Sequence, residues 1–161
     1  AAWHYALTSQ NTPTALVLTR QNLDVEAGSS FTSVAKGAYV TYETDSDFNT
    51  ILLASGSEVN LAVKAAKELE AQGEKVRVVS VPSTELFDEQ SAAYKEAILP
   101  NSVRRRVAIE MAASQPWYKY VGLDGAVIGI DKFGASAPAA QVIENYGFTV
   151  DNVVKVVKEL K

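Results

Sequence analysis

The chain has no cysteine, one histidine and one methionine among 161 residues. Without cysteine there can be no disulfide framework, thiolate metal site or thiol nucleophile, a composition that suits a reducing, cytoplasmic setting. The lone histidine, His4, has no clustered carboxylates at ligand spacing, and no serine elbow with an orienting acid accompanies it. It reads as a surface or packing residue. Long apolar runs are missing as well. Ile51-Leu52-Leu53-Ala54 and Ala126-Val127-Ile128-Gly129-Ile130 fall far short of the roughly 20 residues that cross a bilayer, so no membrane association is expected. Neither GxGxxG nor GxxxxGK(S/T), the glycine patterns that cradle phosphates, occurs. Basic side chains are in the minority, 15 against 19 acidic, giving a net charge of -4 and arguing against nucleic-acid partners.

What is present fits one domain with an appendage, since a chain of this size buries roughly 70% of its unfolded surface. Residues 1–9 carry helix formers and aromatics without an N-cap and without the basic and apolar regions of a signal peptide. The chain is therefore expected to be a piece of something larger. After a turn at Ser9-Gln10-Asn11-Thr12-Pro13, the run Thr14-Ala15-Leu16-Val17-Leu18-Thr19-Arg20-Gln21-Asn22-Leu23 reads as a buried strand with no visible partner, ending at Arg20. The linker-like composition of Asp24–Ser33, with Gly28-Ser29-Ser30, puts a domain boundary there: 1–26 as the remnant of a preceding domain and 27–161 as the self-contained one.

In the larger part, short β-branched runs alternate with helical patterns, the mark of a three-layer α/β/α sandwich on a mostly parallel sheet. The strands are expected at 37–42, 50–54, 76–81, 107–110 and 126–130. Val59, Ala62, Val63, Ala66 and Leu69 recur at helical spacing between the second and third, with Gly73 as terminator, which makes a βαβ crossover. A helix is expected over Asp88–Ala97, short helices opened by Pro116 and Pro138, with Gly147 ending the latter, and a last helix with the stripe Val150, Val153, Val154, Val157, Leu160. The first strand of this domain is followed by Glu43-Thr44-Asp45-Ser46-Asp47, and the next strand begins at Thr50. That is too short for a parallel crossover, so one strand should be antiparallel or set apart.

Several residues invite chemistry. Arg20 at a strand end would offer a fixed, planar cation to a phosphate or carboxylate, or simply close an ion pair. Ser55-Gly56-Ser57-Glu58 between strand and helix could expose amides to an anion, but fits a capping box with Ser55 as cap better. Glu110, Asp131 and Lys132 end strands on the edge where α/β proteins bind ligands, although strands also end in charge because they end at solvent. Trp117-Tyr118-Lys119-Tyr120 reads as packing or interface, and Arg104-Arg105-Arg106 as a solvated loop.

Five segments in order give the chain a family resemblance: Pro13 to Leu23, Ala54-Ser55-Gly56-Ser57-Glu58-Val59, Arg77 to Ser83, Trp117 to Gly122 and Phe133-Gly134-Ala135-Ser136-Ala137-Pro138. In these the chain resembles the C-terminal end of the transketolases over essentially its full length. The resemblance implies a C-terminal domain with a mixed five-stranded sheet and one antiparallel strand, preceded by the end of a pyrimidine-binding domain. It also implies a dimeric parent transferase of the pentose phosphate pathway. That enzyme moves a two-carbon ketol unit between sugar phosphates with thiamine diphosphate and a divalent cation, Mg or Ca. Arg20 matches the arginine that holds the substrate phosphate in that family. No catalytic, cofactor or metal residue carries over, so no cofactor is expected in this chain, which should be inactive alone. A dihydroxyacetone synthase, or a standalone module binding a small anion near Ser55–Glu58, are the other readings.

Overall fold

A strand apolar on both sides of its pleat is stable only when both faces are covered. Thr50-Ile51-Leu52-Leu53-Ala54 is such a segment, and it forms β2 (Thr50–Ala54), buried throughout, at the centre of the molecule. The structure, a computed structural model, describes residues 1–160. Around β2 stand β1 (Tyr39–Glu43), β3 (Val76–Ser80), β4 (Arg105–Ile109) and β5 (Ala126–Ile128), in the order β1-β3-β2-β4-β5. β2 runs parallel to both neighbours, with Leu52 beside Val78 on one side and Val107 on the other, and β5 is parallel to β4. β1 alone is antiparallel, pairing Tyr39 with Ser80 and Glu43 with Arg77. This is the mixed five-stranded sheet with one discordant strand that the sequence predicts.

The short β1–β2 connection explains the discordance. Thr44 N donates to Val76 O and Asn49 N to Lys75 O, both at 3.0 Å, so the link arches over the start of β3. It must span two strand spacings, about 10 Å, which six residues cover easily. β1 and β2 thus leave a slot one strand wide, and β3 fills it after the crossover through α3 (Glu58–Ala71).

Alternate residues of the strands feed two cores. Leu52, Val78, Val107 and Ile109 pack with Val59, Ala62, Val63, Ala66 and Leu69 of α3 and Val153, Val154 and Val157 of α8 (Val150–Glu159). Ile51, Leu53, Val79 and Ala108 pack the other way, against Phe87 of α4 (Thr84–Asp88), Ile98 of α5 (Ala92–Ile98) and Tyr120 and Val121 of α6 (Tyr118–Val121). Each large side chain so buried is worth roughly 1.5–3 kcal/mol. α3 ends at Gly73, at φ +86°, with Glu74 N donating to Leu69 O at 3.0 Å, the terminator expected there. Pro116 lies in a single 3₁₀ turn, Gln115–Trp117, ahead of α6, and Pro138 caps α7 (Ala139–Asn145), which closes into Gly147.

Two expectations need correction. The helix foreseen over Asp88–Ala97 begins later, as α5, with a separate α4 ahead of it, because Ser83 and Ser91 each accept a capping bond, from Leu86 N and Tyr94 N, both at 3.2 Å. Lys95 Nζ spans the break to Asp88 O at 2.9 Å. The arginine triplet is not a solvated loop. Arg105 and Arg106 open β4, where Arg106 donates to the carbonyls of Leu99, Pro100, Val103 and Tyr120 at 2.7–3.1 Å. Arg105 donates to Val157 O, at the carboxyl end of α8, and pairs with Glu74 at 2.8 Å. Carbonyls with spare lone pairs where helices and links end draw these two guanidiniums inward.

Only Arg104 is exposed, paired with Asp124. Arg106→Met should therefore lower the unfolding free energy in urea titration by about 3 kcal/mol, and Arg104→Met by less than about 0.5 kcal/mol. Equal effects of the two would contradict these roles.

Candidate functional site

The leading segment folds differently from the sequence expectation. α1 (Ala2–Thr8) is a helix, but Thr14–Leu18 is extended chain and not a strand, because no other strand lies beside it to take its hydrogen bonds. Val17 is 95% exposed and Leu18 75%. Thr14 and Leu16, on the opposite side, lean with Pro13 over a cleft of about 600 Å³ whose far wall is Val34, Pro82 and Leu86. His4 packs edge-on against Phe31 of α2 (Phe31–Val34), with ring centroids 4.3 Å apart, as a packing residue. The 27–30 linker is tied to the sheet: Thr41 Oγ1 donates to Ala27 O at 2.6 Å.

Arg20 stands exposed in the bend after this extended run, where Thr19 Oγ1 accepts from Gln21 N at 3.1 Å. It forms no salt bridge among the described residues. The fork of five N–H donors is thus presented to solvent with no internal carboxylate to occupy it.

At the other candidate location, the carboxyl edge of the sheet, β2 and β4 are neighbours whose chains depart in opposite directions across the sheet. That is the switch point where α/β folds open a crevice. A cleft of about 300 Å³ lies there, lined by Ser55, Ser83, Glu85, Glu110, Ala112 and Trp117 among others. The capping box expected at Ser55–Glu58 does not form. Glu58 is only 4% exposed and turns inward, accepting from Met111 N at 3.1 Å and from the Ser57 hydroxyl, while α3 begins without a side-chain cap. Burial, then the Glu58 charge, push the Glu110 pKa up from its ordinary value to about 7.

Asp131 and Lys132 do not join this cleft. Asp131 accepts from Ser114 N at 2.9 Å and Ser114 Oγ at 2.7 Å, bonds that hold its carboxyl below the usual range. Lys132 lies over the Tyr146 ring, 5.1 Å from its centroid. Trp117 and Tyr120 are buried core residues, while Lys119 pairs with Asp88 at 2.5 Å, which settles that cluster as packing. Sequence reading missed the meeting of Glu58 with the Met111 amide, which depends on β2 and β4 being adjacent.

These groups determine what the crevice suits. Glu85 and Glu110 line it and no Lys or Arg does, so it offers no cation to hold a diphosphate or small anionic effector. No group of three or more metal-ligating side chains exists among the described residues. This crevice does not fit thiamine diphosphate and its cation, and the anion-module reading is not favoured.

Residues 37–149 match the family model described as the transketolase-like TK C-terminal domain. The chain belongs to the transketolase family. It is 73% identical over 161 residues to a probable transketolase of Streptococcus pneumoniae, covering all of this chain and 24% of that one. It is 45% identical to the transketolase of Leishmania mexicana, with a TM-score of 0.91 over 99% of this chain and 23% of that one. The transketolase of Pichia stipitis in complex with sedoheptulose-7-phosphate superposes equally well, with a TM-score of 0.91 at 38% identity. The chain thus corresponds to the C-terminal quarter of these transferases.

The exposure pattern makes a direct prediction. In limited digestion with trypsin the earliest cut should fall after Arg20, well before any cut after Arg105 or Arg106, whose backbone is locked in β4. Cleavage at Arg106 as early as at Arg20 would refute it.

Proposed function

We propose that this transketolase C-terminal domain serves a full-length enzyme that transfers a two-carbon ketol unit from a ketose phosphate to an aldose phosphate in the pentose phosphate pathway. The domain line lies at 26/27. Residues 1–26 complete a preceding pyrimidine-binding domain, and 27–161 form a self-contained unit of which Lys161 lies outside the described residues. The observation that carries the reading is full-length identity of 73% to a protein of which this chain is 24%. The enzyme is a cytoplasmic homodimer, and its thiamine diphosphate and divalent cation, Mg or Ca, sit in the parts that precede this chain. The bond-making chemistry is the cofactor's. The relatives bear the name transketolase, which favours that activity over dihydroxyacetone synthase.

Arg20 is the residue of this chain that we assign to the substrate phosphate. Exposed and free of internal ion pairs, its guanidinium forms paired N–H···O bonds to the terminal phosphate, holding the sugar at a fixed distance from the reacting carbon. It binds the end of the substrate where nothing reacts, so it acts equally on ground and transition states. That a Pichia stipitis relative is described in complex with sedoheptulose-7-phosphate supports a phosphorylated ligand for such a fork.

Two measurements test this. The purified 161-residue chain should show no turnover above background in a coupled transketolase assay, and turnover by it would overturn the assignment of chemistry to the preceding parts. In the full-length enzyme, Arg20→Ala should raise KM for phosphorylated substrates about 10–100-fold with kcat nearly unchanged, and leave an unphosphorylated acceptor unaffected. An equal loss on both substrates would show that Arg20 does not read the phosphate.

A further inference from the structure

A lysine ammonium carries three N–H donors, so one that lines a cavity after satisfying a single acceptor still has donors to offer a ligand. Two such groups meet beside the end of α4. Lys95 of α5 donates from Nζ to Asp88 O at 2.9 Å, and Lys119 of α6 donates from Nζ to Asp88 Oδ2 at 2.5 Å. Among the described residues, each lysine forms this one hydrogen bond and no other. The second oxygen of the Asp88 carboxylate accepts from the Tyr120 hydroxyl at 3.0 Å. A single carboxylate, occupied at both oxygens, thus stands between two ammonium groups.

The same residues border a cleft of about 380 Å³ between α4, α5, α6 and the start of β4. Arg106 lines it from β4, its guanidinium fixed by the carbonyls it donates to, so its charge cannot swing away. Glu96 is the other acid of the lining, and Asn101 takes both of its oxygens, from N at 2.9 Å and from Nδ2 at 2.5 Å. Lys95, Arg106 and Lys119 together outweigh Asp88 and Glu96 by one charge. The lysines therefore bring spare donors to this cleft, while its carboxylate oxygens already have partners. The switch-point cleft is the reverse case, with Glu85 and Glu110 in its lining and no Lys or Arg.

We propose that this cleft binds the phosphate group of a small phosphorylated compound, held by the Lys95 and Lys119 ammonium groups in the field of the fixed Arg106 charge. A phosphate monoester suits the site better than a carboxylate. It carries about −1.5 to −2 charges at pH 7 and three acceptor oxygens, so it can meet both ammonium groups at once and leave an oxygen to water. Lysine serves such a ligand as a point charge and needs no planar match. Bound there, the phosphate bridges α5 and α6 across the end of α4. The net excess of one charge and the partly exposed lysines set its affinity in the millimolar range, weakening as salt is added. The site is separate from Arg20, which stands in the leading segment, and does not depend on the reaction assigned to the full-length enzyme.

The test is titration of the 161-residue chain with inorganic phosphate at about pH 7.5 and constant ionic strength, followed by proton–nitrogen correlation NMR, with acetate as the carboxylate probe and chloride as the control. The amides of Lys95, Asn101 and Lys119 should shift saturably with phosphate, and the same shifts should persist in Arg20→Ala. Lys119→Met, at a side chain 64% exposed, should weaken phosphate binding about three- to tenfold. Lys95→Met should weaken it at least as much, with its fold checked in the same spectra, and Lys119→Met decides alone where that variant does not fold. Phosphate shifts no larger than those of chloride, equal affinity for acetate, shifts confined to the surroundings of Arg20, or unchanged affinity in Lys119→Met would each overturn the site.

Discussion

The structure depends on the double burial of β2. Its five residues have no face to give to water, so helices must lie on both sides and strands on both edges. Supplying an edge strand on each side from one chain forces the path to leave β2 one way for β3 and return the other way for β4. The crevice at the carboxyl edge is the geometric result. Position alone gives it no function, and its lining holds Glu85 and Glu110 but no Lys or Arg to bind the anionic ligands that such crevices commonly hold.

The two ends of the sheet hold their charges differently. At the amino edge, Arg105 and Arg106 are consumed by carbonyls from α8, the α5–β4 link and α6, so they staple layers together. At the carboxyl edge, acids take up backbone amides of the β4–α6 connection: Glu58 holds Met111 and Asp131 holds Ser114. In both places a charged side chain does what secondary structure cannot, satisfying peptide groups where the chain leaves a strand. Arg20 differs from all of these in having no internal ion pair among the described residues, which leaves it free for the proposed phosphate contact.

Much of this fold was legible in the sequence. The apolar runs of β2 and β3 and the stripes of α3 and α8 read correctly because each element is buried in the way its period requires. The short link after β1 was enough to predict a discordant strand. Side-chain partners supplied by distant elements were not legible. Arg104-Arg105-Arg106 looks uniformly polar, and only the arrival of Tyr120 and Val157 separates its members. Ser55-x-x-Glu58 has the letters of a capping box, but an amide 53 positions later competes for the carboxylate and wins. The α4–α5 break was marked by Ser91, a cap signal inside an apparently continuous helix. Thr14–Leu18 has strand composition without a strand partner, and composition cannot supply one. The family resemblance, rather than spacing, singled out Arg20.

The central claim is that the sheet domain stands by itself while the segment bearing Arg20 lacks its partner. Hydrogen–deuterium exchange across the whole chain measures this most directly. The account predicts slow exchange in β2, β3 and β4, and exchange at the unstructured rate throughout 9–25. Protection of Thr14–Arg20 comparable to that of β2 would contradict it.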